Sequence, residues 1–210
     1  MAATGREGVL ILFVKHPEEG KVKTRLAKTV GAPLAVRIYE GLLERTRSQI
    51  VSLSVDIQVH YGEQPVAGDA WEAEGYARFA QQGSDLGARM RHAFRQAFAQ
   101  GYSKVIIIGS DCYQLTRAHL EEAFQALDQM SAVLGPSTDG GYYLLGMNKL
   151  LPAVFENKSW STESVAEDTR SDFRKEGFGW KELEPLTDID TENDLGTIPL
   201  GVLADWGYRQ

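Results

Sequence analysis

Lys104-Val105-Ile106-Ile107-Ile108-Gly109-Ser110-Asp111, residues 104–111, decides how this chain is read. Val105 to Ile108 is the most apolar β-branched run in the sequence, and Gly101 and Gly109 flank it. A run that short and that branched predicts a strand buried on both faces, as in a parallel sheet. Such a strand delivers Asp111 at its carboxyl end. In open α/β sheets the ligand crevice lies outside the carboxyl ends of the strands, so a carboxylate placed there is positioned for a metal or a substrate group.

Working outward, Val9 to Val14 predicts a first buried strand that ends in a loop at Lys15, His16 and Pro17. Pro33 opens a helix whose apolar positions are Leu34, Ile38, Leu42, Leu43, Ile50 and Val51. Val55, Ile57, Val59 and Tyr61 alternate with Asp56, Gln58 and His60, the pattern of a half-covered strand near an edge. Arg78 to Gln82 predicts a short strand, and Gln82 to Gly87 a turn into a helix with the stripe Leu86, Met90, Phe94, Ala97 and Phe98. After the central strand, Thr116 caps a helix with Leu120, Ala123, Phe124 and Leu127 inside. Ala132 to Gly135 and Tyr142 to Met147 are further strands around a glycine pair. Ser164 to Arg174 predicts a helix, Leu183 to Leu186 a short strand, and Thr191 the cap of a last helix with Glu192 and Asp194 in its first turn. This order predicts an α/β fold, a single-domain, Rossmann-like, mainly parallel sheet with flanking helices. The expected domain runs over 8–205, with 1–7 a flexible N-terminus.

The 210 residues are enough to bury about 70% of the surface that the unfolded chain exposes, so no covalent staple is needed. The single cysteine, Cys112, excludes an internal disulfide and a cysteine zinc cluster, in keeping with a reducing, cytoplasmic setting. Next to Asp111 it predicts a small core filler and not a nucleophile. A net charge of -7 argues against nucleic acid as a partner, and no run has the length and apolarity of a membrane span. The local exception is Lys15, Lys21, Lys23, Arg25 and Lys28, which gather around Gly20. That reversal of sign suits a small anionic ligand.

Read residue by residue, the basic segment is either a solvated loop or a phosphate clamp. It has too few glycines for a P-loop. Asp111 is either a turn residue after a strand or a metal ligand. Magnesium takes one or two carboxylates beside substrate phosphates, and Asp139, Asp188 and Asp190 are the candidates for a second. Gly140-Gly141 predicts a hairpin turn, and Tyr142 and Tyr143 after it are placed to bond or stack on a sugar or base. The four histidines show no metal-ligand spacing, and Trp160, Trp180 and Trp206 are expected in the core or at an interface.

Five segments taken together carry a family likeness: 13–26 (through Lys15, His16, Pro17 and Lys23-Thr24-Arg25-Leu26), 82–90 (Gln82-Gly83-Ser84-Asp85-Leu86-Gly87 onward), 109–112, 135–146 and 188–191. In this order they resemble the bacterial glycosyltransferase-A-like proteins long labelled a domain of unknown function, over roughly residues 8–196. That family is similar to the nucleotide-diphospho-sugar transferase superfamily and, more distantly, to the 2-phospholactate and molybdenum-cofactor guanylyltransferases. One departure is visible, since Tyr113 stands where the family usually has proline after Asp-Cys.

The resemblance implies a metal-dependent transferase using a nucleotide sugar and Mg2+ or Mn2+. The alternatives are nucleotidyl transfer from a nucleoside triphosphate to a phosphorylated small molecule, and a non-catalytic nucleotide-sensing module. The implied catalytic residues are Asp111, Asp139 and Lys23, and the implied metal ligands Asp111, Asp139 and Asp190. Lys15, Lys23, Thr24, Arg25, Gln82, Gly83, Asp85, Gly140, Gly141 and Tyr142 are expected to bind the nucleotide. The small-molecule nucleotide is the expected partner, and the acceptor and the oligomeric state stay open.

Overall fold

A computed structural model describes residues 6–209. The elements in chain order are β1 (Arg6–Val14), α1 (Thr24–Val30), α2 (Ala32–Ile50), β2 (Asp56–Tyr61), α3 (Ala70–Ala73), β3 (Ala77–Ala80), α4 (Leu86–Ala99), β4 (Tyr102–Ile108), α5 (Arg117–Ala126), β5 (Ala132–Pro136), β6 (Tyr142–Met147), α6 (Val165–Lys175), β7 (Trp180–Glu182) and α7 (Leu200–Asp205). Short 3₁₀ turns lie at Pro152–Phe155 and Asn193–Thr197. The seven strands form one sheet in the order β3-β2-β1-β4-β6-β5-β7. β3, β2, β1 and β4 are parallel, and β6 runs antiparallel to both β4 and β5. This is the mainly parallel, Rossmann-like class that the alternation of strands and helices predicts.

β4 is buried as its composition demands, with Val105 and Ile106 fully inaccessible and Ile107 and Ile108 nearly so. Alternation along β1 and β4 divides the core between the two faces of the sheet. Leu10, Leu12, Ile106 and Ile108 pack under α5 with Leu120 and Phe124, while Val9, Ile11, Val105 and Ile107 pack under α4 with Met90 and Phe94. Each such side chain contributes about 1.5–3 kcal/mol by leaving water. A third cluster sets Leu26 of α1 and Ile38 and Leu42 of α2 against Ile189, Leu195, Ile198 and Leu203 near the C-terminus. It ties the first loop of the chain to the last.

Several expectations need correction. β2 is not half-covered, because Gln58 and His60 are buried along with its apolar residues; β3 lies outside it and α4 covers that face. Gln58 is satisfied by its amide bond to Gln100 at 2.8 Å, which is how a polar residue comes to sit inside. The strand expected at Leu183 to Leu186 lies earlier instead, at Trp180–Glu182; Pro185 has no N–H for a ladder, and over 183–186 there is only an isolated Leu186 bridge to Ser137. Thr191 caps no long helix. Asp194 instead accepts from Asp190 N, Thr191 N and Thr191 Oγ1 at 2.6–3.0 Å, which closes a 3₁₀ turn, and Pro199 breaks the chain before α7. α1 lies where only a loop is expected. Of the N-terminal segment called flexible, residues 1–5 lie outside the described ones, whereas Arg6 and Glu7 already belong to β1, because its ladder extends to the Arg6–Tyr102 pair. Among the described residues, no helix is long and apolar enough to cross a membrane.

Trp206, just past α7, presses on α2 at Gly41, where a Cβ would lie 2.1 Å from the indole. Tyr113 holds that indole edge-on at 5.9 Å, so the ring has little room to retreat. Gly41→Val is therefore expected to cost about 1–3 kcal/mol by overpacking, read as a lower urea midpoint. An unchanged midpoint would show that the contact does not hold α7 in place.

Candidate functional site

β1 and β4 are neighbours in parallel register, Leu12 beside Ile108, so the segments that follow them leave the sheet side by side. One carries Lys15 to Lys23 and the other Gly109, Ser110 and Asp111. Between them opens a cavity of about 530 Å3. Tyr39 of α2, only 3% exposed, bridges the two segments. Its hydroxyl accepts from Lys15 N at 2.9 Å and lies 3.1 Å from Ser110 Oγ and 3.4 Å from the Lys15 carbonyl. Burial pushes this phenol up to about 12, with the charge of Asp111 adding to it, so it stays protonated.

The basic end of the cavity is built around Lys23. Its side chain is 3% exposed, and its Nζ lies 2.7 Å from Asp111 Oδ1 and 3.6 Å from Asp190 Oδ1. Arg25 takes the other oxygen of Asp190 at 2.7 Å. Lys23 itself is left-handed, φ 47 and ψ 41, and its carbonyl accepts the Ala27 N–H that starts α1. For a residue with a side chain this conformation is disfavoured, and the surrounding loop has to impose it. The arm that carries Asp188 and Asp190 docks through Ile189 N, which donates to the Asp111 carbonyl at 2.9 Å. Asp188 accepts from Ser137 Oγ at 2.7 Å. Burial pushes its carboxyl up to about 7; Asp111 adds to that rise, against the lowering effect of the Ser137 bond and of Lys23. Cys112 is buried and its thiol is pushed up to about 12 by burial, which fits the filler role expected of it.

The opposite wall is mixed. Phe13, Leu86, Met90 and Tyr142 supply apolar surface, and Gln81 and Arg89 supply polar groups. Arg89 donates through Nε to the Gly83 carbonyl at 3.3 Å and reaches Gln81 Oε1 at 3.5 Å. Ser161 closes the far side from a segment fixed beneath by the buried Lys158–Asp172 pair at 2.7 Å and by Trp160, which lies over Gly87.

The structure gathers Lys15, Lys23, Thr24, Arg25, Asp111, Asp190 and Tyr142 on the walls of this one cavity. Others among the expected residues lie off it. Asp85 caps α4 through Ala88 N at 2.9 Å, and Gly83 is packed so closely on that turn that a Cβ would meet Arg89 N at 2.6 Å. Gln82 is exposed, and its neighbour Gln81 takes the wall position. Asp139 is exposed and accepts from Gly141 N at 3.0 Å inside the β5–β6 turn. Gly140, at φ 89, sits where a Cβ would lie 2.0 Å from the Glu163 carbonyl, so the pair serves the docking of the segment before α6. Tyr143 borders the cavity, yet it is only 3% exposed and its hydroxyl donates to the Glu184 carbonyl at 3.1 Å.

Among the described residues no three acidic, histidine or cysteine side chains meet so as to hold a metal by themselves. The trio Asp111, Asp139 and Asp190 is therefore not assembled as expected, because the hairpin turn engages Asp139. Magnesium needs fewer protein ligands than that when substrate phosphates supply the rest. Asp111, 43% exposed in its side chain, with Asp190 beside it and an ammonium already held against both, fits that donor set.

Sequence reasoning missed Tyr39, Gln81, Arg89 and Ser161. Tyr39 sits beside Ile38 on a helix whose stripe is a core pattern, and only its hydroxyl hinted otherwise. Arg89 lies in the first turn of α4, off its apolar stripe, and nothing in the spacing says which side chain faces the cavity.

A family model described as an uncharacterized protein conserved in bacteria (DUF2064) matches residues 45–162. A crystal structure from Desulfovibrio desulfuricans G20, described as a "putative nucleotide-diphospho-sugar transferase", is 34% identical, covers 89% of this chain and 83% of its own, and has a TM-score of 0.81. The 4-diphosphocytidyl-2C-methyl-D-erythritol synthase of Anaerococcus prevotii is 12% identical, over 97% of this chain and 100% of its own, with a TM-score of 0.58. A Mycobacterium tuberculosis H37Rv protein solved in complex with manganese is 12% identical, over 96% of this chain and 100% of its own, with a TM-score of 0.53. The last two share the fold. No curated protein matches the sequence.

Two outcomes follow from the site. Tyr39→Phe strands Lys15 N and the Ser110 hydroxyl in a buried place and is expected to cost about 1–3 kcal/mol in urea unfolding; no loss would mean that the strut carries no load. Asp188 has a native value of about 7 against an ordinary 3.8, so the folded protein holds that proton more tightly than the unfolded chain. Its contribution to stability therefore falls as pH rises from about 4 to 7. Asp188→Asn is expected to flatten that part of the stability curve and to unfold later than the parent protein at pH 8, measured by denaturant titration across this range. A variant curve parallel to that of the parent protein would contradict the assignment.

Proposed function

The chain belongs to the bacterial family described above as an uncharacterized protein conserved in bacteria (DUF2064), and from that membership and the cavity we propose that it moves a sugar from a nucleotide-diphospho-sugar donor to an acceptor hydroxyl. The observation that carries the reading is the convergence of Lys23, Arg25 and Asp111 in one cavity at the carboxyl ends of β1 and β4. The 34% identity to the Desulfovibrio protein supports the donor class.

Lys15, Lys23 and Arg25 bind the diphosphate and neutralise the charge that grows on it as the sugar leaves. Asp111 and Asp190 are the residues that would hold a Mg2+ or Mn2+, which would supply Lewis-acid charge to the diphosphate when bound. Phe13, Leu86 and Met90 cover the nucleoside, while Gln81 and Arg89 bond its polar edge. The acceptor oxygen forms a bond to the anomeric carbon. The bond from that carbon to the terminal phosphate oxygen breaks, and its electron pair leaves with the nucleoside diphosphate. Asp188 takes the hydroxyl proton, a role for which a carboxyl at about 7 is suited near neutral pH. Most of the acceleration then comes from positioning and fixed charge.

Four cations lining the cavity, Lys15, Lys21, Lys23 and Arg25, also suit a triphosphate, which keeps nucleotidyl transfer as the second reading. Thermal-shift titration against nucleotide sugars and nucleoside triphosphates with Mn2+ finds the donor, and phosphorus NMR of the turnover mixture reads the product. Free nucleoside diphosphate is the expected product; pyrophosphate would replace the first reading with the second, and binding without turnover would leave a sensing module. Asp111→Asn is expected to lower turnover by about 10²–10³-fold with the fold intact.

A further inference from the structure

Lys23 is the one buried side chain among the described residues whose polar atom lacks a directed hydrogen-bond partner. Its ammonium has ion contacts to Asp111 and Asp190 at 2.7 and 3.6 Å, yet no hydrogen bond of proper geometry. Asp190 is already engaged by Arg25, and its backbone arm is docked through Ile189. The Lys23 backbone is equally fixed, since its carbonyl starts α1 and its left-handed conformation is imposed by the loop. The adjustable part of the residue is its four-carbon stem, which carries a compact charge on rotatable bonds.

We propose that in the ligand-free protein Lys23 occupies the cation position against Asp111, so that a divalent ion is admitted only when an anionic phosphate ligand draws the ammonium away. The inference rests on the nucleotide-phosphate reading of the cavity. An ammonium and a dication sharing one carboxylate oxygen repel each other at close range, in a partly desolvated place where screening is weak. Phosphate oxygens offer Lys23 what Asp111 does not, several acceptors arranged around the ammonium. The exchange leaves Asp111 open as the ligand arrives. Metal binding and phosphate binding are then positively coupled, and coupling of this kind is reciprocal. A site arranged this way does not fill with metal in the absence of the nucleotide.

The test is Mn2+ binding to the full chain, followed by electron paramagnetic resonance of the free ion and by calorimetry. Wild type, Lys23→Met and Lys23→Gln are each titrated alone and with CDP, GDP, UDP or ADP; melting curves establish that the variants are folded. The wild type alone is expected to bind Mn2+ weakly, and both variants alone at least about tenfold more tightly, because the competing charge is gone. Both variants are also expected to lose affinity for the diphosphates. Equal or weaker Mn2+ binding by either folded variant overturns the proposal while leaving the nucleotide reading in place, provided the wild type binds Mn2+ together with a diphosphate. Absence of Mn2+ binding to the wild type with every diphosphate overturns both. A Lys23–Asp111 contact that is merely structural would lower the melting temperature of the variants without tightening Mn2+, and would overturn the proposal.

Discussion

The site depends on the parallel pairing of β1 with β4, Leu12 beside Ile108. Parallel neighbours point their carboxyl ends the same way, so a basic segment and an acidic one come off the sheet within reach of each other. Everything else at the cavity refines that encounter. Tyr39 fixes the distance between the two backbones, and Lys23 fixes the distance between the charges. Both groups are almost fully buried although their partners face the opening. Losing the Tyr39 hydroxyl leaves its buried partners unpaired, at about 1–3 kcal/mol, which makes this strut a constraint on the fold as much as on the chemistry.

Charge balance explains the acidic arm. Asp111, Asp188 and Asp190 crowd one side of the cavity, and Lys23 and Arg25 compensate only part of that charge. The consequence appears at Asp188, whose carboxyl is driven up to about 7 chiefly by burial and further by Asp111. A protein that keeps such a group in its interior gives up stability near neutral pH, as functional sites do when they hold groups away from their preferred state. The third hydrophobic cluster, in which α1 and α2 close on Ile189, Leu195 and Leu203, is what keeps the arm in place despite the repulsion.

How much of this was legible follows from the length scale of each signal. β4, β1 and the helices α2, α4 and α5 were readable because burial repeats along each of them with its own period. Asp111 was readable because a buried parallel strand ends one way only. α1 was not: it has seven residues and starts from a left-handed lysine, and no periodicity marks so short a helix. Asp85 and Asp139 illustrate a different failure. Aspartate before a helix or in a turn is satisfied locally, at Ala88 N and Gly141 N, and sequence alone does not separate that use from a ligand's. Tyr39, Gln81 and Arg89 reach the cavity from elements whose other residues face the core, so their roles emerge only when three dimensions bring α2, the end of β3 and α4 together. Tyr113, where the family usually has proline, is accommodated by stacking: Arg45 lies 5.2 Å over its ring and Trp206 packs edge-on, so the loop after Asp111 keeps its place without a rigid turn.

The central claim is that the space between Lys23 and Asp111 receives the phosphates of a nucleotide. A crystal structure of the protein grown with Mn2+ and a nucleoside diphosphate tests it most directly. The account predicts phosphate oxygens in contact with the Lys23 ammonium and Arg25, Mn2+ on Asp111, and the 2.7 Å Lys23–Asp111 contact opened. A nucleotide bound elsewhere, or bound here with that contact still closed, would contradict it.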